Sequence, residues 1–197
     1  MKAKSPPRMQ VVKREEKQIK LTTFITEQID HLASDDRLSC DHELLLVALS
    51  ATSPVIGALK EVAAARDLSQ IQLRIILANI QGADLFRDLS GLPPVSVNWA
   101  RNARLLDAHE QLVVGKTACW TGDCMRREPN KRDAFECFAD DCQETSAWAR
   151  TSFDRLWAAS VPLISPQDWG RTETAGEVLI PAQPAEPDVE TITGTRH

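Results

Sequence analysis

Two short apolar runs, at residues 43–50 (ELLLVALS) and 71–78 (IQLRIILA), restrict what this chain can fold into more than any other feature. Both are nearly unbroken rather than alternating, the pattern of a strand covered on both faces. Between them, Ser53 and Pro54 offer the N-cap and first-turn proline of a helix that carries Val55, Ile56, Leu59, Val62 and Ala63 to about Arg66. Strand, helix and strand in this order make a crossover unit, so the two strands are expected to lie side by side and parallel. A sheet started in this way needs a helical layer on each face. The expected fold class is therefore α/β, a mixed sheet flanked by helices on both faces.

The remaining elements fit around that unit. Residues 22–37 place Phe24, Ile25, Ile29 and Leu32 at helical spacing, with Thr22 or Thr23 as N-cap. Beyond a loop at 82–94 the pattern shortens into strands at 95–99, 111–114, 117–120 and 134–139. A closing helix at about 145–158 sets Ala149, Phe153, Leu156 and Trp157 on one stripe. With 197 residues and 43% hydrophobic content the chain can build one core, since a domain commonly takes about 100 to 150 residues. That domain is expected at 21–160.

Charge divides the two ends. Residues 1–20 hold Lys2, Lys4, Arg8, Lys13, Arg14, Lys17 and Lys20 against Glu15 and Glu16, which reads as a flexible basic arm. Residues 161–197 hold Asp168, Glu173, Glu177, Glu186, Asp188 and Glu190 against Arg171 and Arg196, interspersed with prolines, which reads as a disordered acidic tail. Trp169 would be free in that tail to anchor a protein partner, whereas the other tryptophans should mostly face the core. No apolar run approaches the roughly 20 residues that cross a bilayer, and the first twenty positions lack the apolar core of a leader. A cytoplasmic protein without a membrane span is expected, and the five cysteines, an odd number, are expected as reduced thiols.

The segment 105–157, LLDAHEQLVVGKTACWTGDCMRREPNKRDAFECFADDCQETSAWARTSFDRLW, is more specific. It resembles the signature region of the phospholipase D superfamily, where H-x-K, an apolar strand, an acidic residue, a G-S-x-N turn and a later Glu lead into a closing helix. The resemblance implies a phospholipase D-like half-domain and, because one copy of the motif is present, a homodimer whose two motifs meet at one pocket. It further implies a histidine nucleophile attacking a phosphodiester without a cofactor, with Lys and Asn holding the phosphate oxygens. Position by position, the motif histidine falls on His109, the turn glycine on Gly122 and the later Glu on Glu136. The lysine position holds Gln111, the acidic position Gly115 or Lys116, the serine position Asp123 and the asparagine position Met125.

These departures mostly point one way. Phosphoryl transfer gathers negative charge on oxygens that a cationic cradle normally stabilises by several kcal/mol. Gln111 removes a cation, and Asp123 puts an anion where the substrate would sit. The pattern predicts a pocket kept in shape rather than in chemistry, binding a phosphate-bearing ligand, a nucleic acid or a protein through Gln111, Lys116, Asp123, Arg126 and Arg127. The competing expectation is an active phosphodiesterase or nuclease with His109 and Glu136 as catalytic groups and Arg126, Arg127 or Lys116 replacing the lysine, since arginine holds phosphate bidentately. A third reading uses Cys119, Cys124, Cys137 and Cys142. Each pair is separated by four residues with twelve between the pairs, near the spacing of a four-cysteine zinc site. The alternative for the cysteines is apolar packing on adjacent strands, with Cys124 in the turn and Cys142 at the start of the last helix.

Overall fold

The crossover unit forms as its sequence predicts, and the rest of the sheet extends outward from it. The computed structural model describes residues 6–34, 42–101, 109–125 and 133–169. In chain order the elements are β1 (Arg8–Lys13), α1 (Arg14–Ser34), β2 (Glu43–Ala48), α2 (Pro54–Ala65), β3 (Gln72–Leu77), the single turn α3 (Leu85–Asp88), β4 (Val95–Trp99), β5 (His109–Val114), β6 (Ala118–Cys124), β7 (Asp133–Ala139), α4 (Gln143–Ala159) and β8 (Val161–Ile164), then a 3-10 turn at Pro166–Asp168. They make an eight-stranded sheet in the order β1-β7-β6-β5-β2-β3-β4-β8. Strands β2, β3 and β4 are parallel, and β5 runs antiparallel to β2, so the sheet is mixed.

The unbroken apolar run of β2 is explained by where its alternate residues go. Leu44, Leu46 and Ala48 enter a core with Phe24, Ile25 and Ile29 of α1 and Val55, Ile56 and Leu59 of α2. Leu45 and Val47 point the other way, to Ala149 and Phe153 of α4. Both faces are thus dry, as a central strand with helices on each side requires. Ser53 is the N-cap residue of α2, but its hydroxyl accepts from Ser50 N at 3.1 Å instead of capping the helix. The stripe expected on the last helix is also present, with Phe153 stacked on Trp157 at 5.5 Å between ring centroids.

The two ends of the described chain depart from expectation. Residues 8–20, expected as a flexible arm, form β1 and the opening turns of α1. β1 pairs along its whole length with β7, and Val12 is 1% exposed within the core. Apart from the enclosed Lys17, the charges of this stretch mark the solvent side of an amphipathic hairpin of strand and helix, and they hid its short apolar alternation. At the other end, residues 161–164 form the edge strand β8 on β4, where Pro162 is tolerated because an edge strand has a side without ladder bonds. Trp169 is likewise not free: its indole donates to Val95 O at 2.8 Å and meets Phe86 edge to face at 6.0 Å. Trp148, expected inward, is 75% exposed on α4. No helix among the described residues is long and apolar enough to cross a membrane.

At the end of the sheet where β2 begins, α4 is fastened by arginines. Arg150 binds Glu43 and donates to Gly115 O at 2.7 Å, while Arg74 reaches Glu43 at 3.2 Å and lies over the Phe153 and Trp157 rings at 5.3 and 5.5 Å. Gly115 takes φ 57 there, a left-handed turn residue between β5 and β6. Replacing Arg150 by Met is expected to destabilise the domain by about 1–3 kcal/mol, read by urea denaturation, because a charge-assisted bond is lost and Gly115 O loses its donor.

Candidate functional site

Open α/β sheets gather ligand groups beyond the carboxyl ends of their parallel strands. Here that end carries the loops following β2 and β3 and the exit from β4. Because β5 is antiparallel to β2, with Gln111 opposite Val47, His109 at the start of β5 projects past the end of β2 to the same place. β6 returns to it, with Cys124 opposite His109, so Gly122 and Asp123 sit there too. The turn at 115–117 lies at the opposite end of β5 and β6, on the side where Gly115 N bonds Glu43 O at 2.9 Å. Lys116, expected to rim the pocket, is therefore separated from His109 by the length of β5, roughly 20 Å at about 3.3 Å per residue. Its placement came from its position in the motif half of the chain, and the strand from His109 to Val114 carries it to the other end of the sheet.

His109 is exposed, and its Nδ1 lies 2.8 Å from Gly122 O. A carbonyl oxygen only accepts, so Nδ1 carries the hydrogen, and in the neutral ring Nε2 keeps its lone pair. A register shift separates His109 from Gln111 along β5. Gln111 is 9% exposed and donates from Nε2 to Ala149 O at 2.8 Å, so its amide is engaged with the backbone of α4. Met125 is 8% exposed and packs in the α4-side core. Arg126 and Arg127 lie outside the described residues, as does the side chain of Cys124.

Glu136 is placed differently from a group that would serve His109. It is fully buried on the α1 side of the sheet, accepting from Trp120 Nε1 at 2.7 Å. Lys17 Nζ from α1 stands 3.2 Å from Glu136 Oε1 and 3.0 Å from Glu110 Oε2, and lies 5.0 Å above the Trp120 ring. Glu110 Oε1 accepts from Leu49 N at 3.2 Å, which ties the network to the loop after β2. Although Lys17 is within ion-pair distance of Glu136 Oε1, its geometry is not that of a hydrogen bond, and Oε1 has no aligned donor. Burial pushes the Glu136 carboxyl above its usual range, with Lys17 and the Trp120 donor pulling it partly back. Gly122 makes this packing possible: a Cβ there would stand 2.5 Å from Trp120 Cζ2 and 3.1 Å from Glu136 Oε2.

The structure thus gathers His109, Gly122 and Asp123 at one sheet end, places Glu136 on the α1 side of that region, and turns Gln111 toward α4. Sequence reasoning missed Lys17, Glu110 and Trp120, which complete the buried network. A glutamate directly after the motif histidine, inside an apolar strand, was the available signal for Glu110. Lys17 carried no signal of its own within a run of charges.

Cys119 and Cys137 stand on adjacent strands and Cys142 is the N-cap of α4, the packing arrangement expected for them. Burial raises the Cys119 thiol to about 11, whereas the Thr145 hydroxyl, 3.0 Å from Cys142 Sγ, lowers that thiol. Among the described residues no group of three or more His, Cys, Asp or Glu side chains is arranged to hold a metal ion.

No protein-family model matches the chain, and no curated protein does. Solved structures do. The crystal structure of Nuc, a phospholipase D family member from Salmonella typhimurium, matches with a TM-score of 0.56 at 12% identity, covering 81% of this chain and 100% of that one. NucT from Helicobacter pylori gives a TM-score of 0.49 at 14% identity over 80% of this chain and 99% of that chain, a likeness too weak to argue from. The domain has the phospholipase D-like fold.

Two outcomes test the buried network. Gly122→Ala is expected to force the indole away from Glu136 and destabilise the domain by about 1–3 kcal/mol, with a matching change in tryptophan fluorescence. Glu136→Gln keeps an acceptor for Trp120 and removes the charge. Since the folded carboxyl is raised, its stabilising contribution is complete below the ordinary value of 4.5 and is lost as pH rises through the folded value. Thermal melts should therefore show the glutamine variant gaining on the wild type as pH rises from about 4.5 toward 8; a wild type that instead gains on the glutamine variant over that range contradicts the assignment.

Proposed function

We propose that this domain binds a phosphate-bearing ligand, with nucleic acid foremost, at the His109 end of its sheet, and that it does so without hydrolysing it. The observation that carries this reading is Gln111. At the position where the resemblance calls for a phosphate-holding lysine, a neutral amide is committed to Ala149 O. Moving a phosphoryl group without that cation forfeits electrostatic stabilisation equivalent to several powers of ten in rate. Glu136 adds to the case, because its carboxylate is shared between Trp120 and Lys17 and is not positioned by the histidine. Asp123 brings a further negative charge to the same sheet end.

Binding needs less than catalysis. The segments carrying Arg104, Arg126, Arg127, Lys131 and Arg132 connect β4 to β5 and β6 to β7, strands whose junctions fall at the His109 end. Cations of this kind hold phosphates by charge and by the planar guanidinium fork, with no need for a nucleophile. A second reading rests on a specific observation: the exposed imidazole of His109 keeps its Nε2 lone pair, as a nucleophile requires. In that reading Arg126 or Arg127 replaces the lysine and the domain is an active phosphodiesterase.

Purified full-length protein, without added metal, should turn over neither bis(p-nitrophenyl) phosphate nor plasmid DNA above the level of His109→Ala. It should bind DNA with an affinity that falls as salt rises, and Arg126→Ala/Arg127→Ala should reduce the slope of log K against log salt by about 2. Metal-independent hydrolysis abolished by His109→Ala establishes the second reading instead. A complete lack of DNA affinity at low salt removes nucleic acid as the ligand.

A further inference from the structure

β1 leaves an open edge. It is the terminal strand of the sheet, and on the face away from α1 the β1–β7 pair is bare: Met9 is 73% exposed, Val11 57%, and Phe135, opposite Val11 in the register, 67%. α4 packs against β5, β6 and β2, and its core takes in Ala139 at the end of β7 but not Met9, Val11 or Phe135. An edge strand with a row of exposed apolar side chains is a template for another strand, since only an extended backbone can satisfy its outward N–H and C=O groups.

From the register and the charge pattern we infer that this edge is covered by β1 of a second copy of the chain, related by a two-fold axis perpendicular to the sheet. Directly opposed residues in an antiparallel pair lie on the same face. A two-fold axis with this orientation must therefore pass through a residue and not between two. Two such axes are available near the middle of β1. Centring on Val11 sets Arg8 against the partner's Arg14, a like-charge clash, and on the bare face leaves Met9 opposite the partner's Lys13 and not opposite the partner's Val11. Centring on Gln10 sets Met9 against the partner's Val11, Arg8 against the partner's Val12, and Lys13 against the partner's Pro7. No like charges then oppose one another, Arg8 remains with its own Asp140, and Phe135 from each copy flanks the joined apolar row. Pro6 and Pro7, lacking N–H groups, end the new ladder next to β1.

The helix layer agrees with the same axis. α1 follows β1 directly, and a shallow groove of about 280 Å³ between them is lined by Gln10, Ile19, Lys20, Thr23, Phe24 and Glu27. Ile19 is 67% exposed, and Lys20 is loosely paired with Glu16 at 4.0 Å. Lys20 and Glu27 are seven residues apart, hence on one stripe of the helix. The two-fold axis makes the two copies of α1 antiparallel, so Lys20 faces the partner's Glu27 and Ile19 gains apolar cover. Because β1 runs antiparallel to the partner's β1, the two His109 ends point in opposite directions along the joined sheet. This dimer is independent of what the His109 end binds, and it differs from the arrangement that the motif resemblance implies, in which two histidines share one pocket.

The ladder is short and the apolar patch modest, which places the interface at the small end of specific contacts and its dissociation in about the micromolar range. Sedimentation velocity of the full chain from about 1 to 200 µM should show a dimer that dissociates on dilution. Val11→Lys, at an exposed position, should leave the melting temperature unchanged and weaken self-association at least about tenfold, as expected for a charge forced into an apolar contact. Lys20→Glu should weaken it as well, and Lys20→Glu/Glu27→Lys should recover it. A chain that stays monomeric throughout, a dimer indifferent to Val11→Lys, or a charge exchange that restores nothing overturns the proposal.

Discussion

The ammonium of Lys17 joins two parts of the fold that the chain separates widely. It comes from α1, near the N-terminus, and lies between Glu110 of β5 and Glu136 of β7, with Trp120 of β6 as the floor. Two carboxylates taken out of water are tolerable only when a cation is close, since an unpaired buried charge costs several kcal/mol. The ion pair therefore does more than add attraction. It makes the burial of Glu110 and Glu136 possible, and with it the packing of α1 over β5, β6 and β7. The arrangement remains incomplete, with two acids sharing one base, and burial pushes the Glu136 carboxyl upward, Lys17 and Trp120 pulling it partly back and Glu110 adding a smaller push. The strain is local to the layer beneath the His109 end of the sheet. Positioning of that end is tied to the network through Glu110, which holds Leu49 N and adjoins His109.

How legible this was in the sequence varied with how directly burial was written into residue type. β2 and β3 were readable because a strand covered on both faces must be apolar at every position, and 43–50 and 71–78 are. α2 was readable from Ser53 and Pro54, even though the serine hydroxyl turned out to serve Ser50. β1 and the opening of α1 were not readable, because half of each faces solvent and the buried half includes Lys17, whose charge looks the same on paper whether solvated or enclosed by carboxylates. Trp169 and β8 were hidden by the prolines and acids around them, though Pro162 is compatible with an edge and Trp169 needs only one carbonyl partner, Val95 O. Trp148 failed in the opposite sense: a large aromatic was expected inward, yet the stripe of α4 defined by Ala149 and Phe153 places it on the outside.

The candidate site follows the same division. His109, Gly122 and Asp123 were brought together because β5 and β6 are adjacent antiparallel strands, and a motif read in order along the chain becomes a motif across a ladder. Lys116 was misplaced because sequence order alone does not show which end of a hairpin a residue occupies. Gln111 was read as a missing cation, and the sequence could not show that its amide bonds to α4. That detail bears on mechanism. A glutamine left pointing into the cleft could still donate to a phosphate oxygen, whereas one committed to Ala149 O would have to break a buried hydrogen bond first, at a net cost of about 1–3 kcal/mol.

Fold and chemistry therefore separate at β5. The topology that puts a histidine beyond the end of β2 follows from a crossover unit, a reversal of strand direction and a hairpin, none of which depends on the residue at position 111. The ability to stabilise a transferring phosphoryl group depends on that residue directly. Substitution there can remove catalysis while the sheet, the exposed imidazole and the surrounding loops persist, because the packing that holds β5 comes from Leu112, Val113 and Val114 and from the network through Glu110. Under the proposed reading, a binding surface is what such a substitution leaves behind. In that reading its specificity would rest on charge, Asp123 opposing a phosphate and the basic residues of 126–132 favouring it, so that the balance of the two signs would decide how tightly an anion is held.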